Sequence, residues 1–265
     1  MTADVDVVTE LAYGTSGRHM DVHRPAPSSS SASSAASAAS APVVLLWHGR
    51  GPDERDVLAP LARSAARLGV VAFVPDWRPD APDGGRTQLA ESVAFVRANA
   101  ARFGGDAERL VLAGWSLGAN AVLGVALNPA ALGGWRPRAV VGIAGGYRSA
   151  APTTGTIPID DASRAGDPVP PIPVHLVHGT ADPMVDIEQS RELRDALEER
   201  GWPAPLEELA TDHAGIVMTE YSVEHQRCLP STAAHAVDAG TRTAHLLARA
   251  AGIAGITGIA GITVA

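Results

Sequence analysis

Short, wholly apolar runs alternate along the chain with longer segments whose apolar residues recur every three or four positions. Val43–Trp47, Val70–Val74, Leu110–Ala113, Ala139–Ala144, Val174–Val177 and Leu206–Ala210 read as strands, most of them apolar on both faces. Between them, Val57, Leu58, Leu61, Ala65 and Leu68 fall at helical spacing and stop at Gly69. Leu89, Val93, Val96, Ala100 and Phe103 form a second amphipathic stripe, stopped by Gly104–Gly105. Ser116–Leu127, Ile187–Arg200 and Thr232–Ala251 complete the set of predicted helices. Strands apolar on both faces, alternating with helices, predict a parallel sheet covered on both sides. Two earlier strands, Val5–Tyr13 and His19–Arg24, lie a short loop apart and read as an antiparallel hairpin at the start of the sheet.

Three segments break the pattern. Residues 28–41 are a Ser/Ala tract that cannot build a core and reads as a flexible loop between two strands. Gly145–Pro173 is rich in Pro, Gly, Ser and Thr, lacks periodicity, and is long enough to overhang a site as a cap. Residues 252–265, with GIAGIT twice, read as a low-complexity tail after a single domain spanning residues 1–251.

Composition narrows the chemistry. All 21 basic residues are arginine, and Cys228 is the one cysteine. Schiff-base chemistry, a Walker A lysine, an internal disulfide and a cysteine zinc site are therefore excluded. The net charge of −8 opposes nucleic acid as a partner. No apolar run reaches the roughly 20 residues of a membrane span, and no signal peptide opens the chain, so a cytoplasmic protein is expected. What remains is hydroxyl, imidazole and carboxylate chemistry.

Gly114-Trp115-Ser116-Leu117-Gly118 is a G-x-S-x-G between a buried strand and a helix, the placement a nucleophile elbow requires. A serine hydroxyl needs a base, and the base an orienting acid. Asp182, just past the strand ending at Val177, supplies the acid; Asp186, four residues on, is its competitor and the better helix cap. His213, in the loop after the last strand, is the base candidate, ahead of His225, His235 and His245. Asp212 beside it reads as a turn residue. Backbone N–H groups of Leu117, and of Gly49 and Arg50 in Trp47-His48-Gly49-Arg50-Gly51, are the candidate oxyanion donors. His48 reads as orienting that turn. Trp77, Trp115 and Tyr147 read as core or pocket wall, and the tryptophans beside these loops point to an apolar substrate pocket. His175 and His178 face opposite ways along a strand, and no metal motif appears.

These stretches, with Tyr13-Gly14, Met20–Pro25 and Asp76-Trp77-Arg78-Pro79, resemble the α/β-hydrolases over about Val5–Ala251, and among them the small carboxylesterases of the hormone-sensitive-lipase and kynurenine-formamidase-like groups. The resemblance implies an α/β fold with a mostly parallel eight-stranded sheet, an antiparallel N-terminal hairpin, helices on both faces and a short cap. It implies that Asp76 and Arg78 brace the loop beside the oxyanion site. Arg50 departs from it: those groups carry glycine there, as in HGGG. The arginine either folds out onto Asp53 or Glu54 or clamps an acidic substrate. The expected function is a cofactor-free serine esterase acting on a small-molecule ester or related acyl compound, with Trp77, Trp115 and Tyr147 lining the substrate pocket. A formamide or amide hydrolase and a catalytically silent binding protein are the alternatives. Oligomeric state stays open.

Overall fold

The computed structural model describes residues 4–26, 40–164 and 169–254. Eight strands form one sheet: β1 (Val5–Tyr13), β2 (Arg18–Pro25), β3 (Ala41–Trp47), β4 (Val71–Pro75), β5 (Gly105–Trp115), β6 (Ala139–Ile143), β7 (Val174–Gly179) and β8 (Leu206–Leu209). Their order is β1-β2-β4-β3-β5-β6-β7-β8. The first two pair antiparallel, β2 pairs antiparallel with β4, and all pairs from β4 to β8 are parallel.

Side-chain alternation along the strands divides the core in two. Val43, Leu45 and Trp47 face one layer, with α2 (Arg86–Asn99), α3 (Leu117–Leu127) and α5 (Glu188–Glu199). Val44 and Leu46 face the other, with α1 (Ala59–Arg67) and α6 (Ala234–Ala250). Strands buried on both faces have no polar side to show, which is why they read as unbroken apolar runs. The chain passes from β3 outward to β4 and then returns across to β5 on the other side of β3. The strand order therefore reverses between β3 and β5, and in open α/β sheets the crevice beyond the strand C-termini at such a point is where ligands bind.

Several elements differ from the sequence expectation. β5 begins at Gly105, before the apolar run, because Gly105 and Asp106 pair with Ala41 and Pro42 ahead of a register shift. Ala41, expected at the end of the Ser/Ala loop, opens β3. The helix expected from Val57 starts as a 3₁₀ turn over Arg55–Leu58. The irregular segment after β6 contains a short helix, α4 (Pro158–Ser163). A two-stranded antiparallel hairpin, β9 (Thr219–Ser222) and β10 (Arg227–Pro230), stands apart from the main sheet before α6. Its strands are too short and mixed to show period-two alternation. Most of the Ser/Ala tract and of the GIAGIT tail lies outside the described residues. Among those residues, no helix is long and apolar enough to cross a membrane.

Candidate active site

Four parallel strands end at one edge of the sheet, and each is followed within four residues by a residue of interest. Ser116 follows β5 with φ 55° and ψ −120°, a left-handed conformation that costs a side-chain-bearing residue on the order of 1–3 kcal/mol. The surroundings hold it there. Its N–H donates to Ile143 O at 2.8 Å. A Cβ added at Gly114 would lie 2.2 Å from Gly118 O, and one at Gly118 would lie 2.4 Å from Trp47 O. Both glycines of the motif are thus required for helix α3 to approach the strands so closely.

Asp182 lies in the loop after β7. Its Oδ1 accepts the N–H groups of Met184 at 2.8 Å and Val185 at 2.9 Å. Its Oδ2 accepts His213 Nδ1–H at 2.7 Å and lies 3.2 Å from His178 Nε2. Burial alone would raise this carboxyl. The hydrogen bonds from His178, His213 and the Val185 N–H outweigh burial and hold it well below the usual carboxylate range. Asp186, the competing acid, accepts the N–H of Glu188 at the start of α5 instead. Asp212 accepts the N–H groups of Ala214 and Gly215, as a turn residue does.

The two loops are seated together by backbone. Thr180 N–H donates to Leu209 O at 2.8 Å and Ala181 N–H to Thr211 O at 3.0 Å. A Cβ at Gly179 would sit 2.4 Å from Thr211 O, so the approach depends on that glycine. Trp115 fixes the histidine loop from beneath: its indole N–H donates to His213 O at 2.9 Å, and the two rings lie 5.1 Å apart. Since Asp182 is ionised, His213 Nδ1 carries the proton in this bond, which leaves Nε2 as an acceptor. Ser116 and His213 line the same cavity, but no hydrogen bond joins Ser116 Oγ to the imidazole in this structure.

The loop after β3 is built differently. His48 is fully buried; Nδ1–H donates to Gly49 O at 3.1 Å, and Nε2 accepts Trp77 N–H at 3.1 Å and Glu54 N–H at 3.3 Å. Burial holds the imidazole down to about 4. Asp76 braces the same loop through Arg55, whose backbone and guanidinium both donate to it, while Arg78 pairs with Asp80 and Asp53. Neither Gly49 nor Arg50 has positive φ, so an arginine fits a turn where glycine was expected. Among the described residues, the N–H groups of Gly49, Arg50 and Leu117 have no acceptor. Gly49 lies against Ser116: a Cβ there would be 3.2 Å from Ser116 Cβ. Arg50 is exposed and pairs with neither Asp53 nor Glu54, since Asp53 is held by Arg18.

Above these loops lies a cavity of about 820 Å³, reached by Ser116, Leu117 and His213 and walled by Trp115, Met184 and Tyr221. Two residues assigned to its wall from the sequence are not there. Trp77 and Tyr147 are fully buried. Trp77 packs on His48, and its indole N–H donates to His48 O at 3.3 Å. Tyr147 fills the space left by the missing side chains of Gly142 and Gly145. In the irregular segment after β6, Gly146, Arg148 and Ser149 do reach the cavity. Asn120 of α3 latches that stretch down, donating to Gly146 O at 2.7 Å and Ser149 Oγ at 3.0 Å. The opposite wall is the unforeseen β9–β10 hairpin, through Tyr221, Arg227 and Cys228. Cys228 is thus a wall residue, its thiol pushed up by burial.

No family model matches the chain. Solved structures do. Esterase 2 of Thermogutta terrifontis superposes with a TM-score of 0.67 at 17% identity, covering 96% of each chain. Carboxyl esterase 2 of the fungus Tuber melanosporum gives 0.61 at 16% identity, over 94% of this chain and 88% of its own. This chain has the α/β-hydrolase fold. An esterase of Pyrobaculum calidifontis shares it, with a TM-score of 0.62 at 18% identity over 93% of this chain and 85% of that one. Ser116, Asp182 and His213 stand on the edge of that fold formed by the C-terminal ends of the parallel strands.

Proposed function

We propose that this α/β-hydrolase is a serine hydrolase that cleaves small carboxylic esters through an acyl-enzyme. The observation that carries the reading is His213: one ring nitrogen is bound to the ionised Asp182, and the ring opens with Ser116 on one cavity. Catalytic hydrogen bonds are commonly loose in an empty site and tighten when substrate is bound, so the unmade Ser116–His213 bond is compatible with it.

In this reading Ser116 Oγ attacks the ester carbonyl carbon while His213 Nε2 takes its proton. The carbonyl oxygen becomes an oxyanion beside the free N–H groups of Gly49, Arg50 and Leu117, at the positive end of α3. Asp182 keeps the imidazole in the Nδ1–H tautomer and stabilises its cation. As the tetrahedral species collapses, His213 returns the proton to the departing alkoxide, and the alcohol leaves. Water then enters, gives a proton to His213 and attacks the acyl carbon. The acid is released and Ser116 is restored. Each proton removed is returned, and no group beyond these residues and water is needed.

Thermogutta terrifontis esterase 2 is known phosphorylated by paraoxon. The same reagent tests this chain. Paraoxon is expected to add one diethylphosphoryl group to Ser116 and to stop hydrolysis of p-nitrophenyl acetate; Ser116→Ala is expected to take no label and to have no turnover above background. Turnover retained by a folded Ser116→Ala would overturn the reading.

A further inference from the structure

A second cavity, of about 390 Å³, adjoins the first. Arg50, Leu117 and Ser149 line both, whereas Ser116 and His213 line the larger alone. Leu117 is the residue after the proposed nucleophile, so the two cavities meet beside the proposed oxyanion position. Sharing three lining residues, the two cavities lie side by side as two lobes of the site.

The lobes differ in charge. The guanidinium groups that line the larger one alone are spent: Arg148 pairs with Glu192 and Arg227 with Asp56. Arg78, near the smaller, pairs with Asp80 and Asp53. The two arginines that line the smaller lobe are different. Among the described residues neither Arg50 nor Arg86 has a carboxylate partner, and Arg86 donates only to the Pro152 carbonyl, at 3.3 Å. Asp83 is the carboxylate of this lobe. It is committed to the first turn of α2, accepting Gly85 N–H at 3.0 Å and Thr87 N–H at 2.8 Å. Two exposed, unpaired guanidinium groups and the single Asp83 carboxylate therefore line this small space, a net positive charge in a chain of net charge −8.

Mechanism assigns the lobes to the two halves of an ester. His213 must protonate the leaving oxygen, so the alcohol half lies in the larger lobe that His213 lines. The acyl half then passes Leu117 and Arg50 into the smaller lobe. Guanidinium forks recognise carboxylates in paired hydrogen bonds, more strongly than they bind neutral oxygen. We propose that the smaller lobe is an acyl-side anion site, and that the substrates are monoesters of short dicarboxylic acids with an apolar alcohol. This rests on the serine-hydrolase reading above.

The test pairs two nearly isosteric esters, monobenzyl glutarate and benzyl pentanoate, in which a carboxylate replaces a methyl group. Benzyl alcohol release gives kcat/KM for each. The wild type is expected to favour the glutarate by about tenfold or more, the yield of one well-formed charged contact. Arg50→Gln and Arg86→Gln are each expected to lower that ratio at least about fivefold, and raised salt to shrink it further. If benzyl pentanoate turns over but the two esters are equivalent, or neither variant moves the ratio, the anion site is overturned and the hydrolase reading stands. If p-nitrophenyl acetate turns over but neither benzyl ester does, the substrate proposal is overturned; if none of the three turns over, the hydrolase reading fails. Calorimetric binding to the wild type then decides the lobe: glutarate no tighter than pentanoate, or a preference that survives Arg86→Gln, overturns it, and an Arg86-dependent preference supports it.

Discussion

His48 and His213 stand at the same edge of the same sheet, each close behind the end of a parallel strand, and each ring lies against a tryptophan. Their partners differ. His48 has both ring nitrogens satisfied by backbone groups: the Gly49 carbonyl on one side, the Trp77 and Glu54 N–H groups on the other. A proton on Nε2 would displace two donors and place an unpaired charge in a fully buried position. His213 has one nitrogen on a carboxylate and lines a cavity. A counter-charge stands beside that ring. One imidazole is a strut that ties the β3 loop to the β4 loop; the other, in the proposed mechanism, accepts a proton and gives it back. Residue type and place in the fold do not separate the two roles. The counter-charge does.

The contrast is broken most severely at Asp182. Asp182→Asn keeps an oxygen for the Met184 and Val185 N–H groups but presents an amide donor to His213. The imidazole must then take the Nε2–H tautomer, which cannot accept the serine proton. Loss of kcat/KM by about 10³–10⁴ is expected for p-nitrophenyl acetate, with the fold retained by circular dichroism. His48→Ala should do the opposite. It leaves two buried N–H groups without an acceptor and opens a cavity beside Trp77, so a stability loss of about 3 kcal/mol is expected in urea unfolding. Acid sharpens the same point. The buried imidazole sits at about 4 against an ordinary value of 6.5. Between those pH values the unfolded chain binds a proton that the folded chain refuses, so stability falls as pH falls, by on the order of 3 kcal/mol at full effect. His48→Ala should flatten that slope. A His48→Ala protein as stable as the wild type at pH 7 would erase the distinction between strut and base.

How much of this was legible in the sequence follows from what each signal encodes. Burial on both faces leaves an apolar run, so β3 to β7 were visible as strands, and the α2 stripe of Leu89, Val93 and Val96 was visible as a buried face. The β9–β10 hairpin was not, because Tyr221 and Arg227 stand at a cavity mouth and no core periodicity constrains them. Ser116 was legible through its flanking glycines, whose need is the close approach of Gly118 to Trp47 O. The wall residues were harder. Trp77 and Tyr147 were placed at the pocket by aromatic character and proximity in sequence, yet a large ring can serve the core equally well, and here both do. Arg55 as the partner of Asp76, and Arg86 on the same cavity as Arg50, are juxtapositions of distant segments that no local pattern carries.

His178 tests how far the counter-charge principle extends. It is buried beside Asp182, with Nδ1 2.7 Å from Ser190 Oγ. Nε2 lies 3.0 Å from the Val185 carbonyl and 3.2 Å from Asp182 Oδ2. A carbonyl can only accept, so Nε2 carries a proton, shared between that oxygen and the carboxylate. His178 is therefore a positioning residue: it touches the acid, and through the acid the base. Asp182 keeps three other donors without it, the Met184 and Val185 N–H groups and His213, so the effect should be modest. His178→Phe is expected to lower kcat about tenfold, the scale of one charge-assisted hydrogen bond, with KM for p-nitrophenyl acetate little changed. His178→Gln, whose amide can still donate to Asp182, should recover most of that loss. Two variants equally impaired, with KM raised in both, would mean that His178 serves packing alone, and that Asp182 needs only the backbone to hold its charge.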